Sequence, residues 1–215
     1  MANLRKGTFG SYYGSTYSES EPLTQAEMEV NANYIRSFLT YNDWSINAIC
    51  GLLGNLQAES TINPGRWQSD DVGNTSLGYG LVQWTPATKY INWCSEYGVI
   101  DPSEMNGNLS RILYELENGL QWIATSSYNM SFKEFSTSSL SVSDLAKAFL
   151  LNYERPADQS ASVQEYRSSL ALAWYEYLTG IDPEDPEDPE PVKRKRKKYN
   201  FIIFNARKRR EQWIN

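Results

Sequence analysis

Apolar positions recur at helical spacing through "INAICGLLGNLQAES", where Ile46, Ile49, Leu53 and Leu56 share one face and Ser45 opens the run. Upstream, "LTQAEMEVNANYIRSFLTY" begins another helix, with Thr24 as N-cap and Glu27 three residues on in a capping-box pattern. The texture then changes. In "LGYGLVQWTPATKYINWCSEYG", Gly78 and Gly80 predict a tight turn or short hairpin, and Thr85-Pro86 reads as an N-cap followed by proline at the first helical position. That helix should run to about Tyr97. Further helices are expected near 108–118, 142–154 and 162–178, with Pro156 ending the second of these and Gly180 closing the last. The pattern predicts an α+β chain that is mostly α, with one small β-hairpin or loop element around 66–84.

The ends depart from this pattern. Residues 1–22 are rich in Ser, Tyr and Gly and read as a flexible leader before a globular domain over 23–180. Residues 181–191 contain a three-fold Asp-Pro-Glu repeat with no core-forming side chain, as expected of an extended acidic linker. Residues 192–215 carry ten Lys/Arg against one Glu, leaving ten bases against nineteen acids in residues 1–180. The overall net charge of −6 therefore hides two opposed segments. The basic tail reads either as a solvated segment or as an anchor to an anionic surface, with "FIIF" as an apolar knot between basic clusters. That knot is far short of a membrane span, and "MANLRKGTFGSYYGSTYSES" lacks the apolar block of a secretory signal. Synthesis in the cytoplasm, without a signal peptide, is the expectation.

Composition narrows the chemistry. The chain has no histidine, which excludes Ser-His-Asp and Cys-His nucleophile systems and His-ligated zinc. Two cysteines, Cys50 and Cys94, are too few for a four-thiolate zinc site and are expected as buried free thiols. No P-loop, dinucleotide fingerprint or EF-hand loop is present, so neither nucleotide nor calcium is expected, and no cofactor or metal is assigned. Carboxylates remain the natural source of acid–base chemistry. Aromatics make up 13% of residues, a supply that suits either a carbohydrate groove or a core rich in Trp and Tyr.

One carboxylate stands out. In "GNLQAESTINPG", Glu59 falls where the apolar helix runs into an Asn-Pro-Gly turn, about 20° around the helix from Leu52. That is the margin of the buried stripe. A carboxyl between apolar walls and the negative end of a helix dipole should hold its proton, as a general acid must. The competing reading is an ordinary surface charge near a helix end.

Three blocks in order, "GNLQAES", "GYGLVQWT" and "YERP", resemble the phage tail-tip lysozyme family. Within it, the match is nearest to the lysozyme domain of tail-knob (morphogenesis) proteins of small podophages of Gram-positive hosts. The resemblance spans roughly 23–178. It implies a lysozyme-like fold with the small β element lining a cleft, and cleavage of the β-1,4 bond between N-acetylmuramic acid and N-acetylglucosamine. The family's catalytic glutamate falls on Glu59, and its Gly-x-Gly-x-x-Gln-Trp segment on Gly78, Gly80, Gln83 and Trp84. Gln83 then becomes a candidate to position a sugar acetamide or a water. Trp67, Tyr79 and Trp84 become candidate stacking faces, and Asn63 a further substrate contact, while Trp93 is the aromatic best suited to the core.

The resemblance also implies peptidoglycan glycan strands as substrate and a virion-tail location acting at the host wall. Other tail proteins or anionic wall polymers are the candidate partners of residues 192–215. Asp70 and Asp71 are the candidates for a second carboxylate. Without one, the substrate's own acetamide or 6-hydroxyl would attack, the latter making the chain a lytic transglycosylase. A released endolysin and a non-catalytic wall-binding module are the remaining alternatives. With no histidine, the zinc peptidase that follows the lysozyme domain in the podophage relatives is not expected in this chain.

Overall fold

The structure, a computed structural model, describes residues 15–181. Seven α-helices account for most of them: α1 (Gln25–Tyr41), α2 (Ile46–Ser60), α3 (Thr88–Tyr97), α4 (Met105–Asn118), α5 (Phe132–Thr137), α6 (Val142–Phe149) and α7 (Ala161–Thr179). The acidic linker from residue 182 and the basic tail lie outside the described residues. Among the described residues, no helix is long and apolar enough to cross a membrane.

The expected caps form. Thr24 and Glu27 make a reciprocal capping box at the start of α1, and the Ser45 hydroxyl accepts from the Ala48 N–H at the start of α2. Gly180 closes α7 in the left-handed conformation. The sequence reading missed α5, although Ser131 and Glu134 form a second complete capping box in front of it. Six residues are too few to show a periodic pattern.

Helix α2 is the centre of the molecule. Ala48 through Leu56 are all buried, so what reads as one apolar stripe is a helix enclosed on every side. α6 and α7 cover it, and they come unusually close at two glycines. A Cβ on Gly51 would lie 2.9 Å from the Leu145 carbonyl carbon of α6. A Cβ on Gly54 would lie 2.6 Å from the Arg167 carbonyl oxygen and 2.7 Å from the Ala171 nitrogen of α7. Both clashes are with backbone, which cannot swing aside as a side chain would.

Two expectations need correction. The hairpin around 66–84 does not form: Tyr79 makes single antiparallel bridges to Trp67 and to Trp84, and no strand extends from either. The reasons are local. Pro86 has no N–H to continue the Tyr79–Trp84 pairing, and Leu77 O is taken by Ala87 N instead (2.7 Å). On the other side Ser69 turns left-handed (φ 57°), and the Leu81 N–H goes to Asn108 Oδ1 (2.9 Å). Thr85 and Pro86 likewise do not start the next helix. They precede it, and α3 begins at Thr88 behind Ala87. Of the leader, residues 1–14 lie outside the described residues, and 15–22 bond the body. Thr16 pairs its backbone N–H and C=O with the Asn31 side chain (2.8 Å each), and Ser18 does the same with Asn63 (3.2 and 2.7 Å).

The predicted 142–154 helix is present as a run but changes geometry midway. α6 ends at Phe149 and continues as a π turn over Leu150–Glu154, closed by Arg155 in the left-handed conformation. The widened turn is braced from outside: Ile123 N–H donates to Asn152 O (2.9 Å), and Gln121 Nε2 to Tyr153 O (3.0 Å).

Cys50 and Cys94 are free and buried, as expected. Burial pushes their thiols up to about 12 and about 11. Neither should react with a thiol-specific reagent at neutral pH in the native protein, whereas both should react once denaturant unfolds the chain. Gly54→Ala should cost roughly 1–3 kcal/mol or more, read as a lowered denaturant midpoint at unchanged slope, because α2 and α7 would have to part.

Candidate active site

Glu59 occupies the penultimate position of α2, where the chain leaves the helix abruptly. Thr61 and Ile62 both adopt left-handed backbone (φ 56° and 53°), a conformation that is costly for a β-branched residue. Tertiary bonds hold them there. Thr61 Oγ1 accepts from Leu23 N (3.0 Å), and Asn31 Nδ2 donates to Ile62 O (2.8 Å). The helix therefore ends two residues before the Asn-Pro-Gly turn that the sequence suggests.

The Glu59 side chain is neither sunk in apolar walls nor loose in water. It keeps 21% of its surface exposed, and its Oε1 accepts from Arg167 Nη2 at 2.6 Å. The expected apolar pocket is thus replaced by a guanidinium. Arg167, itself buried, also donates through Nη1 to Asn55 O (2.8 Å) on the same helix. The two bonds fix the guanidinium along α2 just where α7 crosses at Gly54.

A second carboxyl departs further from ordinary behaviour. Glu154, last residue of the π turn, is half-buried, and its Oε1 is enclosed with no hydrogen-bond partner among the described residues. Burial first, then the negative charge of Glu59 and to a lesser extent Glu115, hold this carboxyl well above the usual carboxylate range. Arg167 and Arg155 act in the opposite sense.

The three sequence blocks are joined pairwise by hydrogen bonds. Ser60 Oγ donates to Leu81 O (2.8 Å), joining the end of "GNLQAES" to the turn of "GYGLVQWT". The buried Glu115 of α4 joins "GYGLVQWT" to "YERP": it accepts from Trp84 Nε1 (3.0 Å), from Arg111 Nε (2.8 Å) and from the Tyr153 hydroxyl. Arg111 in turn lies over the Trp93 and Tyr114 rings, 5.5 Å from each centroid.

The remaining candidates lie in different surroundings. Gln83, left-handed at φ 50°, spends its amide N–H groups on Gly80 O (2.8 Å) and Arg66 O (3.1 Å). Asn63 is fully buried and holds Ser18 and Gly65 by their backbones. Trp84 is buried and stacks on Tyr90 at 4.5 Å between centroids, and Trp93 is buried as expected. Asp70 pairs with Arg66 (2.8 Å), and Asp71 accepts from Asn74 (2.8 Å). Among the described residues, neither aspartate bonds Glu59, Arg167 or Gln83.

Trp67 and Tyr79 pack on one another, 4.4 Å between centroids. Their outer edges line an open cavity of about 360 Å³ together with Tyr17, Glu19, Ile91 and Asp101. Glu59 is not part of its wall. Burial, with the nearby Asp101 and Glu19 charges, raises the Tyr79 hydroxyl far above its ordinary value. The phenol therefore stays neutral, with one O–H to donate.

Arg167 and Glu115 were not singled out from sequence: the partner of Arg167 lies 108 residues away, and the i,i+4 spacing of Arg111 and Glu115 is the pattern of an ordinary helix-surface pair, while the other donors to Glu115, Trp84 and Tyr153, are 31 and 38 residues off. Glu154 was within reach: a carboxylate at a predicted helix end, inside a block already matched, is the same signal that drew attention to Glu59.

A family model of the phage tail lysozyme matches residues 30–178, which include all seven helices except the first five residues of α1 and Thr179. The chain belongs to the phage tail lysozyme family. It is 52% identical over 164 residues to morphogenesis protein 1 of Bacillus phage B103, an alignment covering 76% of this chain and 43% of that relative. The chain thus spans less than half the length of the curated relative it matches.

Trp84→Phe removes one of the three donors to the buried Glu115 carboxylate. It should cost about 1–3 kcal/mol in chemical denaturation, and so should Tyr153→Phe. Because the two share one acceptor, the double variant should depart from the sum of the single losses.

Proposed function

We propose that the protein is a peptidoglycan glycosidase of the lysozyme type, with Glu59 as general acid. It acts on the β-1,4 bond between N-acetylmuramic acid and N-acetylglucosamine, from the phage tail, as the wall is penetrated during infection. The observation that carries the reading is the position of Glu59. It is a partly open carboxyl at the end of an enclosed helix, held by Arg167, beside the Ser60–Leu81 bond that joins two of the three family blocks.

In this reading a glycan strand lies against the open side of Glu59. The acid hands its proton to the glycosidic oxygen, the leaving sugar departs as an alcohol, and positive charge develops at the anomeric carbon. Arg167 then stabilises the carboxylate that remains. Its bond to Asn55 O keeps the guanidinium in place while the charge on Glu59 changes. Trp67 and Tyr79, though largely buried, line the open cavity and offer a second contact along the strand, with the neutral Tyr79 hydroxyl as donor to a sugar oxygen. Gln83 contributes by holding the turn that carries Leu81 against Ser60.

Glu59→Gln keeps the volume and the hydrogen-bonding reach of the side chain but has no proton to give. It should fold like the parent and lose wall-clearing activity on purified sacculi by at least about a hundredfold. Activity within a few-fold of the parent would remove Glu59 from the mechanism.

A further inference from the structure

The open cavity beside Tyr79 carries charge that a neutral sugar does not call for. Its wall combines three rings, Tyr17, Trp67 and Tyr79, with two carboxylates, Glu19 and Asp101. Among the described residues, no Lys or Arg lines it. Several parts of that wall are held in place. Thr16 and Ser18 are tied by their backbones to Asn31 and Asn63, and in an extended segment the alternate residues Tyr17 and Glu19 share one side. The Tyr17 ring lies so close to the Gly65 backbone that a Cβ on Gly65 would collide with its Cδ2. Asp101 Oδ1 accepts from the Ser103 N–H (3.0 Å) and from the Ser103 hydroxyl, which fixes the second carboxylate.

Tyr79 adds an independent sign of a ligand. It is only 4% exposed and lines the cavity, yet its hydroxyl takes part in no hydrogen bond among the described residues. A buried phenol normally has a partner.

The chemistry that fits is narrow. An anion would meet two carboxylates and no base. A divalent metal wants more oxygen ligands than two carboxylates supply, and no group of three or more acidic, Cys or His side chains able to hold one occurs among the described residues. An alkylammonium suits each part of the wall. Its charge pairs with Glu19 and Asp101, and the aromatic faces attract it further. Its N–H donates to the Tyr79 oxygen, which keeps its own proton for a sugar oxygen.

We propose that this cavity binds a primary ammonium of the cell wall, the free side-chain amine of the diamino residue in the peptide stem that hangs from the glycan strand. The choice of source rests on the glycosidase reading. Ser60, next to Glu59, bonds Leu81, and Tyr79 stands two residues before Leu81. The Cα atoms of Glu59 and Tyr79 are therefore within about 20 Å, a gap that a short extended peptide covers. Aminoacyl esters on anionic wall polymers carry the same ammonium, but beside a phosphate that the two carboxylates repel. A cross-linked stem has spent its amine in an amide bond, so the cavity favours strands that are not cross-linked.

Titration calorimetry of the full chain tests this with a sugar-free stem fragment, N-acetyl-alanyl-γ-glutamyl-lysine amide. The parent should bind it with a dissociation constant of about 1 mM. Acetylating the lysine amine should weaken binding at least about tenfold, and so should Glu19→Gln combined with Asp101→Asn. The acetylated-peptide arm uses the parent alone, so a misfolded variant cannot imitate it. No binding of the lysine peptide, equal binding of its acetylated form, or undiminished binding by a folded double variant overturns the proposal. Equal or tighter binding of D-alanyl glycerophosphate overturns the stem as the source.

Glu59→Gln should bind the lysine peptide as the parent does. On sacculi whose free amines have been acetylated, the parent should show a raised KM at unchanged kcat, and the double variant should not distinguish acetylated from native sacculi. If Glu59→Gln instead remains active on sacculi, it is the glycosidase reading that fails, and the peptide titration still decides whether the cavity takes an amine.

Discussion

Helix α7 crosses α2 at Gly54 so closely that no side chain fits between them, and the site is a consequence of that crossing. The approach sets the Arg167 carbonyl oxygen 2.6 Å from where a Cβ on Gly54 would stand. From there the Arg167 side chain reaches Asn55 O and the Glu59 carboxyl one turn further along α2. Separate the helices by the width of one methyl group and those bonds lengthen together. Packing density and the geometry of the candidate site are thus one constraint in this molecule: the glycine that lets the core close also places the cation that holds the Glu59 carboxyl.

Around this crossing, charge is handled sparingly. Three glutamates, Glu59, Glu115 and Glu154, stand near the buried centre, and each is treated differently. Glu59 has one guanidinium and an open side. Glu115 has a full set of donors, from Trp84, Arg111 and Tyr153, and acts as a fastener between segments. Glu154 has an enclosed oxygen that no described residue bonds. A carboxylate with a full set of donors serves as a fixed fastener, whereas one with an open face keeps hydrogen-bonding capacity for a further group.

Much of the fold was legible in the sequence. The capping residues Thr24 and Ser45, the terminal Gly180 and the apolar period of 46–56 act over a few neighbouring residues, and local signals of that kind survive folding. The 66–84 segment was not legible as built. Its glycines and alternating aromatics favour a hairpin, but tertiary bonds to Asn108 and the missing N–H of Pro86 interrupt the ladder after one pair. At the candidate site, Glu59 could be read from its place at a helix end, but Arg167 could not, since its bond to Glu59 spans 108 residues of chain. The aromatics show the same division. Their abundance fits a groove, yet Trp44, Trp84, Trp93 and Trp174 are spent on the core, and of the proposed platforms only Trp67 and Tyr79 reach an open cavity.

The central claim is that a proton from the Glu59 carboxyl reaches the oxygen linking two amino sugars of the wall, on the muramic acid side. Mass spectrometry of glycan fragments released from purified sacculi tests it most directly. The account predicts fragments whose newly made reducing ends are muramic acid, in amounts that grow with time and are missing from a Glu59→Gln digest. New reducing ends on glucosamine, release of peptides with the glycan strands intact, or no released fragments at all would contradict it.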